Sequence, residues 1–192
     1  MDITIARIIS RLCEPTLLQL LLVLYTASRG DITGPRLFIV MIILFTIVFF
    51  PPLMLLLYAV RTKKISNWDI SNRKQRVKAL AVFILFLFID LFIIRSFYDH
   101  ALFTLFLFFF ITVCGFFCIT LFWKISGHLS TFTIFFGLII LWFGLRWWPL
   151  VLMVPTLAWS RVILKRHTIF QTIGGIVFGA CMLLTGHLLH LV

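Results

Sequence analysis

Apolar runs at 15–28, 36–60, 79–97, 101–123, 129–145, 148–164 and 169–191 occupy most of this chain. Several approach the roughly 20 residues that a helix needs to cross a hydrocarbon core. With 62% hydrophobic and 12% charged residues, a soluble domain of 192 residues would lack the polar surface to cover them. Lipid offers the backbone no hydrogen-bond partners, so the spanning segments must be helices. The expected fold is all-α: a polytopic transmembrane helix bundle of about six to seven membrane helices, forming a single domain over 1–192.

Arg7 and Arg11 precede the first run, and no small-residue cleavage site stands before Arg29. The stretch from Thr16 to Ala27 is therefore expected to be a short, retained helix. The net charge of +11 fits membrane topology and attraction to anionic head groups. It does not fit nucleic acid, because the cations sit in short loops between spans and build no extended groove. Cys13, Cys114, Cys118 and Cys181 lie scattered in apolar segments and read as packing residues. Trp142, Trp147 and Trp148 mark a membrane interface, and Pro149 there would open a helix at its first turn. Gly175 and Gly179, four apart, would allow close helix contact. Asp90 lies inside an apolar run and needs a partner, with Arg95 or a polar group of another helix as the candidates.

Three polar segments break the pattern: Arg61 to Lys78, Lys124 to Ser130, and Ser160 to His167. Two apolar runs separate each from the next. If every run spans, an even number of crossings returns the chain to one face, where all three segments would meet. Thirteen of the seventeen Lys and Arg residues then fall on that face, which the positive-inside rule makes cytoplasmic.

The chemistry of these segments suits a phosphate. Arg73, Arg76 and Arg161 offer planar forks of donors for phosphate oxygens. Gly127 and His128 stand just before the run 129–145, an expected helix start, where backbone amides and the helix dipole favour an anion. His128 and His167 allow one imidazole to attack and the other to protonate a leaving group. Metal chemistry is poorly served, since the chain has six carboxylates and only Asp69 falls in these segments. His100, His187 and His190 read as polar anchors, as do Lys63, Lys64, Lys165 and Arg166.

Ser126-Gly127-His128 followed by Ser160-Arg161 and His167 resembles the type 2 phosphatidic acid phosphatase superfamily. That family carries Lys-x6-Arg-Pro, Pro-Ser-Gly-His and Ser-Arg-x5-His-x3-Asp. Here Ile125 replaces the Pro of the second motif, and Gln171 stands where the third usually has Asp. The first is degenerate: Asn72 to Arg76 lies in the right place, without the Lys or the Pro. The likeness covers roughly residues 61–175. It implies that His167 attacks phosphorus and carries a phosphohistidine, while His128 protonates the leaving group. It also implies that Arg161, Ser126, Gly127 and Ser160 hold the phosphoryl oxygens. Arg73 and Arg76, helped by Lys74 or Lys78, would replace the first motif. Gln171 would support a histidine through a hydrogen bond but, being neutral, could not stabilise its cation.

The expected function is thus metal-independent hydrolysis of a lipid phosphate, with no cofactor. Phosphatidic acid, phosphatidylglycerophosphate and a polyprenyl diphosphate are the substrate classes. Gln occupies the Asp place in some divergent bacterial members, so it need not mean a dead enzyme. The expected setting is a bacterial or archaeal inner or plasma membrane. Two alternatives stand beside this reading. One is a catalytically impaired relative that binds lipid phosphate or assists another membrane protein. The other is a polyprenyl transferase, which would need paired Asp-rich loops where this chain has only Asp69. The number of copies that assemble is left open.

Overall fold

The computed structural model describes residues 2–30, 32–65, 70, 72–96 and 99–192, with the backbone alone at Asp2, Ile47 and Val48. Every regular element among them is helical, so the chain is an all-α polytopic helix bundle. Five helical stretches are long and apolar enough to cross a membrane: Ile3–Arg29, Gly34–Arg61, Arg73–Arg95, His100–Phe122 and Ile169–Leu188. A sixth apolar helix, Gly127–Phe143, is shorter. Asp69, the carboxylate on which the transferase alternative turned, lies outside the described residues.

The chain divides into two compact units, 1–22 with 124–192, and 23–123. In the first, helix α1 (Asp2–Leu12) ends at a turn, and α2 (Pro15–Arg29) starts there and continues into the second unit. The rest of the first unit is α7 (Gly127–Phe143), a 3-10 stretch (Leu145–Leu152), α8 (Met153–Ile163) and α9 (Ile169–Leu188). The run 148–164, expected as one crossing, is therefore not one helix. Pro149 sits inside the 3-10 stretch rather than opening α8, which begins at Met153. Proline cannot supply the amide that an α-helix needs at that point.

Helices α7 and α9 run parallel and very close. A Cβ on Gly175 would lie 2.5 Å from the Ser126 carbonyl oxygen, and one on Gly179 would lie 2.7 Å from that of Ser130. In lipid, apolar side chains gain little by leaving the solvent, so helices associate through tight packing and small residues are what permit it. Below this contact Cys13, Leu18, Leu129, Phe132, Phe136, Val154 and Leu157 form the apolar core of the unit. Phe132 and Phe136 meet edge to face at 4.5 Å, within the favoured range for aromatic pairs.

In the second unit, α3 (Gly34–Ile43), a π-helical segment (Leu44–Phe49) and α4 (Phe50–Arg61) form one continuous rod. Helices α5 (Arg73–Arg95) and α6 (His100–Phe122) make an antiparallel hairpin, with Phe88 against Phe110. Asn72 caps α5, accepting from the Lys74 and Gln75 amides, and Asp99 caps α6 through the Leu102 amide at 2.8 Å. Asp90 is 1% exposed, and among the described residues its Oδ1 has no hydrogen-bond partner. Arg95 does not answer it: its guanidinium lies over the Phe103 ring, 5.3 Å from the centroid.

Gly175→Val and Gly179→Val should each force α7 and α9 apart, because the atoms in the way are backbone carbonyls that cannot rotate aside. A loss of roughly 1–3 kcal/mol in detergent unfolding is expected for each. Unfolding curves unchanged from wild type would refute the close contact.

Candidate active site

The second and third polar segments meet at one end of the first unit. The Ser126 amide donates to the Gln171 carbonyl at 3.0 Å, and Lys124 Nζ donates to the Arg166 carbonyl at 3.0 Å. Direct contact, and not an even number of crossings, brings these two segments together, since 148–164 is not one helix.

Ser126 is the N-cap of α7. Its Oγ accepts from the Leu129 amide at 3.4 Å, and its carbonyl accepts the Ser130 hydroxyl at 2.9 Å. The Gly127 and His128 amides belong to the same first turn, where N–H groups point out along the helix axis and favour an anion. His128 is buried at this helix start, and its Nε2 stands 3.5 Å from Glu14 Oε2.

Local backbone chemistry sets the third segment. Ser160 and Arg161 occupy the last turns of α8. The Arg166 amide donates to the Arg161 carbonyl at 3.0 Å, and the Lys165 amide to that of Val162 at 2.9 Å. These are the paired bonds of a Schellman cap. Lys165 holds the left-handed position of that cap, with φ +53°, where a residue with a side chain costs about 1–2 kcal/mol. The next element starts at once. Thr168 and Gln171 form a capping box: the Gln171 amide donates to Thr168 Oγ1 and the Thr168 amide to Gln171 Oε1. His167 is the single residue between the two devices, and its own amide reaches the Arg161 carbonyl at 3.4 Å. The five-residue spacing from Arg161 to His167 is thus the length of a helix stop. It returns the backbone of His167 to the turn that carries the arginine.

The polar groups of α8 turn toward α1. Ser160 Oγ donates to the Ala6 carbonyl at 2.6 Å, and Arg161 Nη1 donates to Ser10 Oγ at 2.6 Å. Arg161 is 1% exposed and His167 6% exposed. A buried guanidinium is tolerated only where acceptors surround it, and α1 supplies one. Gln171 has a structural assignment: its side-chain oxygen serves the capping box, while its carbonyl holds Ser126.

Arg73 and Arg76 stand in the other unit. Arg73 donates to the Leu121 carbonyl, and buried Arg76 donates through Nε to the Ile70 carbonyl at 3.3 Å. A hollow of about 320 Å³ there is lined by Arg73, Lys74, Val77, Lys78 and Leu121. Among the described residues, no three His, Cys, Asp or Glu side chains gather to hold a metal ion.

Sequence reading missed Ser10, Glu14 and Thr168. Thr168 and Gln171 carry a readable signal, the Thr-x-x-Gln of a capping box before an apolar run. Ser10 and Glu14 carry none, because their partners lie more than a hundred residues away along the chain.

Ser10→Ala should leave the buried Arg161 short of an acceptor and lower stability by about 1–3 kcal/mol, read by chemical unfolding in detergent. No loss would mean that the guanidinium has other support. No protein-family model, curated protein or solved structure matches the chain.

Proposed function

We propose that this integral membrane protein is a lipid phosphate phosphatase that works through a phosphohistidine and without a metal. The observation that carries this reading is the clasp of Ser126 and Lys124 on the segment 166–171, which gathers His128, Arg161 and His167 into one unit. An imidazole nitrogen of His167 attacks phosphorus with its lone pair. The bond from phosphorus to the leaving oxygen breaks, and the His128 imidazolium gives that oxygen its proton. Water then attacks the phosphohistidine, neutral His128 accepts a proton from it, and the bond from phosphorus to His167 breaks to release phosphate. The Gly127 amide and the Ser126 hydroxyl face the charge that grows on the phosphoryl oxygens. A site at the end of apolar helices suits a substrate whose tail stays in lipid. Phosphatidic acid, phosphatidylglycerophosphate and a polyprenyl diphosphate all fit that description.

One observation favours a second reading, in which a relative without turnover binds lipid phosphate. Ser160, Arg161 and Gln171 all spend hydrogen bonds on neighbouring elements. Phosphate release from a panel of lipid phosphates separates the two. Wild-type protein should release phosphate in EDTA, and His167→Ala should lose at least about a thousandfold in turnover. Full turnover by His167→Ala would remove the nucleophile from the mechanism. No release from any substrate would leave the binding reading.

The same proposal puts the site on the cytoplasmic face, because Lys124, Lys165 and Arg166 flank it within its own unit. Lys165→Cys, in a chain whose four native cysteines are Ala, should react with an impermeant maleimide only after cells are opened. Reaction on intact cells would reverse the orientation.

A further inference from the structure

We infer that Glu14 is a positioning residue for His128, so that the segment joining α1 to α2 is part of the proton-transfer machinery. The inference rests on the phosphatase reading and adds to it a residue that no motif contains. Glu14 is the only glutamate in the chain, in a molecule with six carboxylates.

Its position is built from both sides. Cys13, the residue before it, is buried in the core, and the Cys13 amide closes the end of α1 on the Ile9 carbonyl at 3.1 Å. The Glu14 carbonyl starts the next helix, accepting the amides of Leu17 and Leu18 at 3.1 and 3.2 Å. Pro15 follows as the first helical residue of α2, where its missing amide costs nothing. Glu14 thus occupies an N-cap position, which Ser, Thr, Asp and Asn fill best because their short side chains reach back to the helix. The longer glutamate side chain leaves its own helix and reaches His128, 3.5 Å from Nε2. The fold therefore places a carboxylate beside one histidine of the pair through an element far away in sequence.

A carboxylate at that distance attracts the positive charge of an imidazolium and fixes the plane of the ring. Both effects serve a group that must arrive protonated and aimed at a leaving oxygen. Gln171, the position where the resembled family places its carboxylate, is neutral and occupied by the cap of α9. The negative charge of the first unit's site comes instead from α1–α2 and acts on the proton donor.

The test compares leaving groups in the purified full chain. The p-nitrophenolate of p-nitrophenyl phosphate departs without needing a proton, whereas the alkoxide of dioleoyl phosphatidic acid needs one. In single-turnover measurements of leaving-group release, Glu14→Gln should slow release of the alcohol from phosphatidic acid by about tenfold or more and release of p-nitrophenolate by a much smaller factor, because only the first needs the His128 proton. It should cost nothing further in a His128→Ala background, because the two residues act as a unit. Equal losses on both substrates, or losses that multiply in the double variant, would overturn the assignment. Wild-type protein that turns over neither substrate would instead overturn the phosphatase reading, and the proton-transfer role with it.

Discussion

The architecture of the first unit depends on how closely α9 can approach Ser126. The Ser126 amide is bonded to the Gln171 carbonyl, and its carbonyl faces the bare Cα of Gly175. One main-chain residue is thus held by two points on another helix, a turn apart. In a bilayer, where apolar surface has no water to escape, this kind of approach supplies the association energy. Everything that brings the start of α7 to the segment 166–171 follows from it. Ser126 starts α7, Gln171 lies in the first turn of α9, and both helices leave this end in the same direction.

Around that contact, the polar chemistry is confined to helix termini. This is what a membrane imposes: mid-helix backbone groups satisfy one another, and the ends hold the donors and acceptors left over. Ser126, Thr168 and the Schellman turn at Lys165 each close one such end. His128 and His167 lie within two residues of those closures. Their placement is inherited from backbone geometry, which explains why short fragments of sequence can specify it.

That confinement also accounts for what could be read in advance. Apolar runs and polar breaks are local, and the all-α bundle followed from them. Gly175 and Gly179 were legible as a contact face because small residues four apart have one dominant use in lipid. The run 148–164 misled because composition alone does not reveal that Pro149 shifts the chain into a 3-10 path before α8 can start. Arg95 was a reasonable partner for Asp90 by spacing, yet its guanidinium found the Phe103 ring instead. Arg73 and Arg76 lie in the unit 23–123, bonded to Leu121 and Ile70. Glu14 and Ser10 were invisible because their roles exist only in three dimensions.

The hydrogen bond between Ser10 and Arg161 joins residues 151 apart in sequence. During synthesis α1 therefore emerges long before its partner, and it must wait while the α5–α6 hairpin, built from neighbouring segments, can already close. Loop closure over such a distance is slow as well as entropically costly. Arg161 can therefore be buried against α1 only after α8 has been made. A chain halted before α8 would expose the inner face of α1, with Ala6 and Ser10, to lipid or to the quality-control machinery of the membrane.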